Sequence, residues 1–470
     1  MSTVSKNILW STATSIFQLY TGSVVFIVLA KLMSVEEFGI LSFGYSLSAL
    51  VVIVSDFGFS LMLIKEYPNQ LKQLNSYLFS GVIVKVLISS IGAILFCVYL
   101  VFFYENELLS VGTLFILFGI VFSFVTYFQS LLKIQNNFRK YAGTTMMYAF
   151  SITVAIVVYW LFPITVTQLA YLMILAKIVQ LLWSVYVCRD SFSSFTYKKD
   201  QVKSILKGSW SYGVYTIFGV FYLMIDTQII ALYYDSVQVA LYQAVFRILL
   251  IMLLFTDIIS NVLLPYLSFK YHKNESIGDF SSKIFLYMLI IACSMFLVLT
   301  TFDEEIILVL YTSEYVNAVV LMLPFSFIII IRAVSALFGS ILTISNKQTF
   351  RVVAGGISLL ISITLNFILI PKFGIIAAAW VSVFVHFVLF LLYYMFTKRE
   401  IPDFNMLSTS NIIIIISTIF IYLLLALVDL EYYYLVTLGV LGWIATVFFI
   451  MKRDDNFTYL KNILKEKGAA

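Results

Sequence analysis

The chain has 470 residues, 62% hydrophobic and only 11% charged, with a net charge of +5 and a mean hydropathy of +1.02. A soluble domain carries about 25% charged residues, so a soluble fold is excluded. Three cysteines, Cys97, Cys188 and Cys293, sit in apolar segments with no CxxC pair, which argues against a disulfide framework and a metal site alike.

The first apolar run, from about Trp10 to Leu32, follows Lys6. It is too long for the hydrophobic region of a signal peptide and no cleavage pattern follows, so it reads as a retained spanning helix. About 20 apolar residues cross a bilayer core. By that measure fourteen spans are expected, near 10–33, 37–62, 77–104, 108–132, 141–161, 166–188, 208–233, 239–263, 284–302, 318–341, 352–370, 374–396, 411–428 and 432–451. The thinnest divisions are Pro163, inside 141–188, and "PKFG" at 371–374, inside 352–396.

The basic residues fix the direction of these spans. Numbering the loops alternately, the set that includes both termini holds 23 of the 29 Lys and Arg, and the opposite set holds only Lys31 and Lys372. Such a bias marks the cytoplasmic side, which places both termini in the cytoplasm and makes the number of spans even. The outer loops carry acids instead, among them Glu36, Glu37, Asp235, Asp303, Glu304 and Glu305. All loops are short, which leaves no room for an extramembrane catalytic domain. GxGxxG, Walker A and HExxH motifs are absent. A transporter is expected rather than an enzyme, with no cofactor, no metal and no nucleic-acid partner. The tail 459–468, "YLKNILKEKG", spaces Leu460, Ile463 and Leu464 among lysines and reads as a helix lying on the inner membrane surface.

An internal repeat of about 200–210 residues organises the chain. "NILWS" (7–11) resembles "KGSWS" (207–211), and "SVEEFGIL" (34–41) resembles "SVQVALY" (236–242). In that register Asp56 lies opposite Asp257. "QSLLKIQNNFRKYA" (129–142) resembles "GSILTISNKQTFRVVA" (339–354), and Pro163 matches Pro371. A period of six spans gives two halves of the same orientation, related by an axis along the membrane normal. The expected fold is an all-α polytopic membrane protein with two pseudo-symmetric six-helix lobes, 1–188 and 208–396, around a central cleft. An inter-lobe linker at 189–207, two extra helices within 397–451 and a basic tail at 452–470 complete it.

Over spans 1 to 12 the sequence resembles the polysaccharide transporter branch of the multidrug/oligosaccharidyl-lipid/polysaccharide exporter superfamily, in particular the Wzx-type O-antigen flippases. The residues that carry the resemblance are "LAKLMSVEEFGIL" (29–41) with "SDFGF" (55–59), "YTSEYVNAVVLMLP" (311–324), and "NFILIPKFGIIAAAWVSV" (366–383). Ala377 stands where the family often has glycine, and small-residue packing is kept. The resemblance implies a flippase of the bacterial inner (cytoplasmic) membrane. It would move an undecaprenyl-pyrophosphate-linked oligosaccharide from the cytoplasmic to the outer leaflet by alternating access. Its partners would be the lipid-linked oligosaccharide, the phospholipid bilayer, H+ or Na+ as coupling ion, and other polysaccharide assembly proteins. Multidrug/cation antiporters and lipid II-type flippases are related alternatives. A glycan polymerase is disfavoured by the short acidic outer loops.

Four cations lie inside spans: Lys85, Lys177, Arg247 and Arg332. Charges inside a membrane usually pair. Counting depth at about 1.5 Å per residue, Asp56 matches Lys85 and Asp226 matches Arg247, so each is a candidate pair. Asp257 sits at the depth of Asp56, in the second half. Lys177 and Arg332 match no acid in the flanking spans. Either helix carbonyls or a distant acid hold them, or they face a cleft and take a passing pyrophosphate. Arg247 and Lys85 join them as candidate substrate contacts, while Asp56, Asp226, Asp257 and mid-span His386 are candidates for charge pairing or ion coupling.

Overall fold

A computed structural model describes residues 3–66, 71–189, 199–273, 276–427 and 432–453. Among these the chain is helical, without a strand. The helices are α1 (Thr3–Leu19), α2 (Val25–Leu32), α3 (Val35–Asp56), α4 (Phe59–Glu66), α5 (Leu71–Phe103), α6 (Asn106–Ile134), α7 (Phe138–Leu161) and α8 (Val166–Cys188). After these come α9 (Lys199–Tyr233), α10 (Ser236–His272), α11 (Gly278–Thr301), α12 (Asp303–Leu310), α13 (Met322–Ile344), α14 (Gln348–Glu400), α15 (Thr409–Leu427) and α16 (Tyr432–Arg453). Of the expected linker, 199–207 forms the first turns of α9, while 190–198 and most of the basic tail lie outside the described residues.

Among the described residues, thirteen helical stretches are long and apolar enough to cross a membrane. The longest, α14, contains two helices, because Gly374 inside it has non-helical dihedrals (φ 69°, ψ −156°). It divides at "PKFG", as the sequence suggests, and the protein is a multi-pass membrane protein. The break has a physical cause. Pro371 has no N–H to give the ladder, and the positive φ of Gly374 is one that L side chains rarely adopt. The Ile370 carbonyl, which a continuous helix would pair with residue 374, instead accepts the Tyr234 hydroxyl at 3.1 Å. In lipid, a backbone group left without a partner costs several kcal/mol.

The chain divides into two compact units. Unit 1 comprises Met1–Ile251, Leu308–Leu321 and Arg351–Val385. Its most thoroughly buried span is α3, which packs on α5, α6 and α9. Small residues permit that close packing: Ser42, Gly44, Ser46 and Ser48 are buried along it. Ser46 and Ser48 donate to the carbonyls of Phe43 and Tyr45, so their hydroxyls are satisfied within the helix. The start of α3 is a capping box, Ser34 with Glu37. Its end comes sooner than the sequence suggests. The chain turns at Phe57 (φ 44°) and Gly58 (φ 70°) before α4 begins. Asp56 holds this break, accepting from the Ser60 N–H at 3.2 Å and the Ser60 hydroxyl at 2.6 Å. It also accepts from Lys85 Nζ at 2.6 Å. A Cβ on Gly58 would come within 2.2 Å of the Gly213 nitrogen on α9.

Unit 2 comprises Met252–Ile307, Met322–Phe350 and His386–Ala470. Its core includes Phe285, Phe338 and Phe404, packed ring to ring and extended by Phe390 and Tyr394. α15 packs on α11 and α16, and Trp443 of α16 donates its indole N–H to Ser294.

The repeat is visible in two turns. Between α6 and α7, Asn136 has φ 54°; between α13 and α14, Asn346 has φ 57°. Asn136 N–H bonds the Lys133 carbonyl and Asn137 N–H the Leu132 carbonyl. Asn346 N–H bonds Thr343 and Lys347 N–H bonds Leu342 in the same pattern. Asparagine is among the few residues that visit the left-handed region readily.

Two stability predictions follow from these contacts, both read as melting temperature in detergent. Asn136→Ala and Asn346→Ala each destabilise by about 1–2 kcal/mol, while the glycine substitutions do not. Asp56→Ala strands the 1%-exposed Lys85 ammonium and costs about 3–5 kcal/mol. Adding Lys85→Met to Asp56→Ala recovers most of that loss.

Candidate functional site

Unit 1 buries two cations that meet no carboxylate among the described residues. Arg247, on α10, is 3% exposed. Its guanidinium donates to the Gly22 carbonyl at 2.9 Å and lies over the rings of Phe26, 4.0 Å away, and Tyr45, 5.1 Å away. Its Nε has no hydrogen-bond partner. The carbonyl comes from an irregularity in the first span: Tyr20–Val24 is a single π-helical turn between α1 and α2. Such a turn shifts the backbone ladder off the α register, and π-bulges concentrate at functional sites.

Lys177, on α8, is 2% exposed. Its ammonium donates to Gln180 Oε1 at 3.0 Å and sits in a cage of rings: Tyr148 at 3.2 Å, Phe122 at 4.1 Å and Phe118 at 5.2 Å. A desolvated cation over an aromatic face gains about 2 kcal/mol per good contact. Three faces and an amide oxygen therefore replace much of its water. The ring chain Phe26–Tyr45–Phe118–Phe122, with centroid steps of 4.5, 6.1 and 6.2 Å, connects the Arg247 site to the Lys177 cage. The two cations thus share one aromatic layer, built from α2, α3, α6 and α7.

The second centre is acidic. Asp226, on α9, is 2% exposed. Its Oδ1 accepts from Asn366 Nδ2 at 2.6 Å and from the Ser362 hydroxyl at 3.4 Å, both on the first half of α14. Its Oδ2 accepts from the Tyr242 hydroxyl at 2.9 Å and from the Ser382 hydroxyl. Asn366 Oδ1 is buried without a partner. One buried carboxylate met by three hydroxyls and an amide N–H suits a proton or a monovalent cation. Divalent metals ask for more charge or more oxygen ligands than this.

The expected pairing of Asp226 with Arg247 does not occur. Their depths match, but their faces do not. Tyr242 faces Asp226, and five residues at 3.6 per turn put Arg247 about 140° further round α10. Asp56 and Lys85 do meet, at the α3 break. Arg332 is half-buried on α13 and His386 is buried on α14, both in unit 2. The Asp257 side chain lies outside the described residues. Sequence reasoning missed the hydroxyls of Tyr242, Ser362 and Ser382 and the rings of Phe26, Tyr45, Phe118, Phe122 and Tyr148. Serines and aromatics are common throughout these spans, so composition gives no reason to choose these. Asn366 carried a signal, a wholly apolar-flanked amide.

The polysaccharide biosynthesis protein family matches residues 4–272. A probable low-salt glycan biosynthesis flippase of Haloferax volcanii is 27% identical over 214 residues, and the match spans 45% of each chain, so the chain spans under half the length of that relative. An uncharacterized membrane protein of Methanocaldococcus jannaschii is 24% identical over 79% of each chain. Among solved structures, the lipid II flippase MurJ in an inward closed conformation has a TM-score of 0.74 at 14% identity, covering 95% of this chain and 99% of that one. An inward-facing multidrug resistance transporter of the MATE family and MOP superfamily has a TM-score of 0.66 at 9% identity, covering 83% and 94%. These likenesses give the fold, and the family match gives the membership: this chain belongs to the polysaccharide biosynthesis protein family.

Proposed function

We propose that the protein is a flippase for a lipid-linked oligosaccharide carried on undecaprenyl pyrophosphate, moving it from the cytoplasmic to the outer leaflet by alternating access. The observation that carries this reading is the pair of buried cations, Arg247 and Lys177, which meet no carboxylate among the described residues. A pyrophosphate is the anion that a guanidinium holds by paired charge-assisted hydrogen bonds. In this reading the aromatic layer holds both cations while the site is empty and parts to admit the headgroup. The resemblance of the sequence to O-antigen flippases, and the flippase named among its relatives, support the same substrate class. A lipid II-type headgroup presents the same pyrophosphate and fits the same chemistry.

Asp226 is the proposed coupling group. Binding H+ or Na+ there changes the charge shared by α9, α10 and α14, the elements that supply its ligands. Energy would then come from an ion gradient rather than from ATP. Coupling of this kind is also what a cation antiporter needs, and Asp226 is the feature that favours that second reading. The two readings separate on substrate, since only a flippase requires Arg247 and Lys177.

Three outcomes test the proposal. Arg247→Ala and Lys177→Ala each lose charge-assisted hydrogen bonds of about 1.5–3 kcal/mol, so export falls on the order of ten- to hundredfold with the protein still in the membrane. The readout is surface polysaccharide in a complemented deletion strain, and normal export from both variants would overturn the anion site. Asp226→Asn retains headgroup binding but loses the response to an imposed H+ or Na+ gradient in proteoliposomes. An unchanged gradient response removes Asp226 from coupling.

A further inference from the structure

Two more cations meet elsewhere in unit 1, at the end where α4 closes and α14 opens. Lys65, in the last turn of α4, lies over the Tyr212 ring at 5.6 Å. Arg351, in the first turns of α14, lies over the Tyr215 ring at 5.5 Å. Tyr212 and Tyr215 are three apart on α9, so they are neighbours on one helix face. Three elements distant in sequence therefore bring two positive charges to one face of α9. Burial, and then the neighbouring Arg351 guanidinium, push the Lys65 ammonium below its ordinary value. The backbone keeps the groups there: α4 is anchored on α9 by the contact of Gly58 with Gly213. Arg351 also stands near the N-terminus of α14, where the helix dipole favours an anion.

We infer that Lys65 and Arg351, set on Tyr212 and Tyr215, form a second anion site, which takes the phosphate of a membrane lipid at the mouth of the path. A phosphate between two such cations gains charge-assisted hydrogen bonds from both. A phosphate reaches this place on either of two carriers, the prenyl pyrophosphate of the substrate or the headgroup of an anionic phospholipid. The role as an entry station rests on the proposed flippase reading, and the binding itself does not. By the charge count both residues belong to the cytoplasmic loops, the side from which the proposed substrate enters. The headgroup would dock here before it passes to Arg247 and Lys177.

The test is binding of farnesyl pyrophosphate, a soluble prenyl pyrophosphate, to the purified full-length protein in nanodiscs of neutral lipid. The background is Arg247→Ala, which silences the inner site. Lys65→Gln with Arg351→Gln raises Kd at least tenfold, while Lys65→Arg with Arg351→Lys stays within threefold. Lys65→Glu gives a folding-independent check, because the new carboxylate pairs with Arg351, keeps or raises the melting temperature, and abolishes binding. Nanodiscs containing phosphatidylglycerol identify the carrier. If they displace farnesyl pyrophosphate from this site, the occupant is a phospholipid headgroup; if they do not, it is the prenyl carrier. An unchanged Kd in both Lys65→Glu and the double glutamine variant overturns the inference. Because binding is read without transport, failure of the flippase reading leaves this result interpretable.

Discussion

A guanidinium that has lost its water and gained no carboxylate is the constraint on which unit 1 turns. Arg247 is buried with one carbonyl and two ring faces around it. Taking an ion out of water costs several kcal/mol even after relaxation, and the surroundings are built to offset that. The π-helical turn at Tyr20–Val24 supplies a carbonyl, and Phe26 and Tyr45 supply quadrupoles. Lys177 is solved the same way, with Gln180 in place of the carbonyl. Rings and neutral oxygens stabilise a cation without cancelling its charge.

The separation of Asp226 from Arg247 has the same logic. They sit on adjacent helices at similar depth, and a bond between them would satisfy both. It would also leave neither able to bind anything else. Instead Tyr242 takes the position facing Asp226, and the carboxylate is satisfied by four neutral donors. Keeping the opposite charges apart sacrifices stability that an ion pair would have provided. The chain thus keeps two chemically distinct buried centres, one cationic and one acidic. Asp56 and Lys85 show the contrast. There the charges do pair, and the pair serves a backbone break at Phe57 and Gly58 rather than a ligand.

The sequence by itself determined the apolar spans and the division at Pro371–Gly374, because hydrocarbon imposes a length and a composition on anything that crosses it. Pro371 and Gly374 announce their break for the same local reason that they cause it. The similarity of 129–142 to 339–354 was legible as well, and the structure shows a left-handed asparagine turn in each. Depth along each span could be counted, and it placed Asp56 with Lys85 correctly. Tertiary structure alone decided azimuth: which face of α10 meets α9, and therefore that Tyr242 rather than Arg247 reaches Asp226. It alone decided that five ordinary aromatics on four helices should surround two cations, and that Lys65 and Arg351 should share one face of α9. Hydropathy is a property of a segment and survives reading one residue at a time. A partner is set by the rotation of two helices against each other, which depends on the packing of every residue between them.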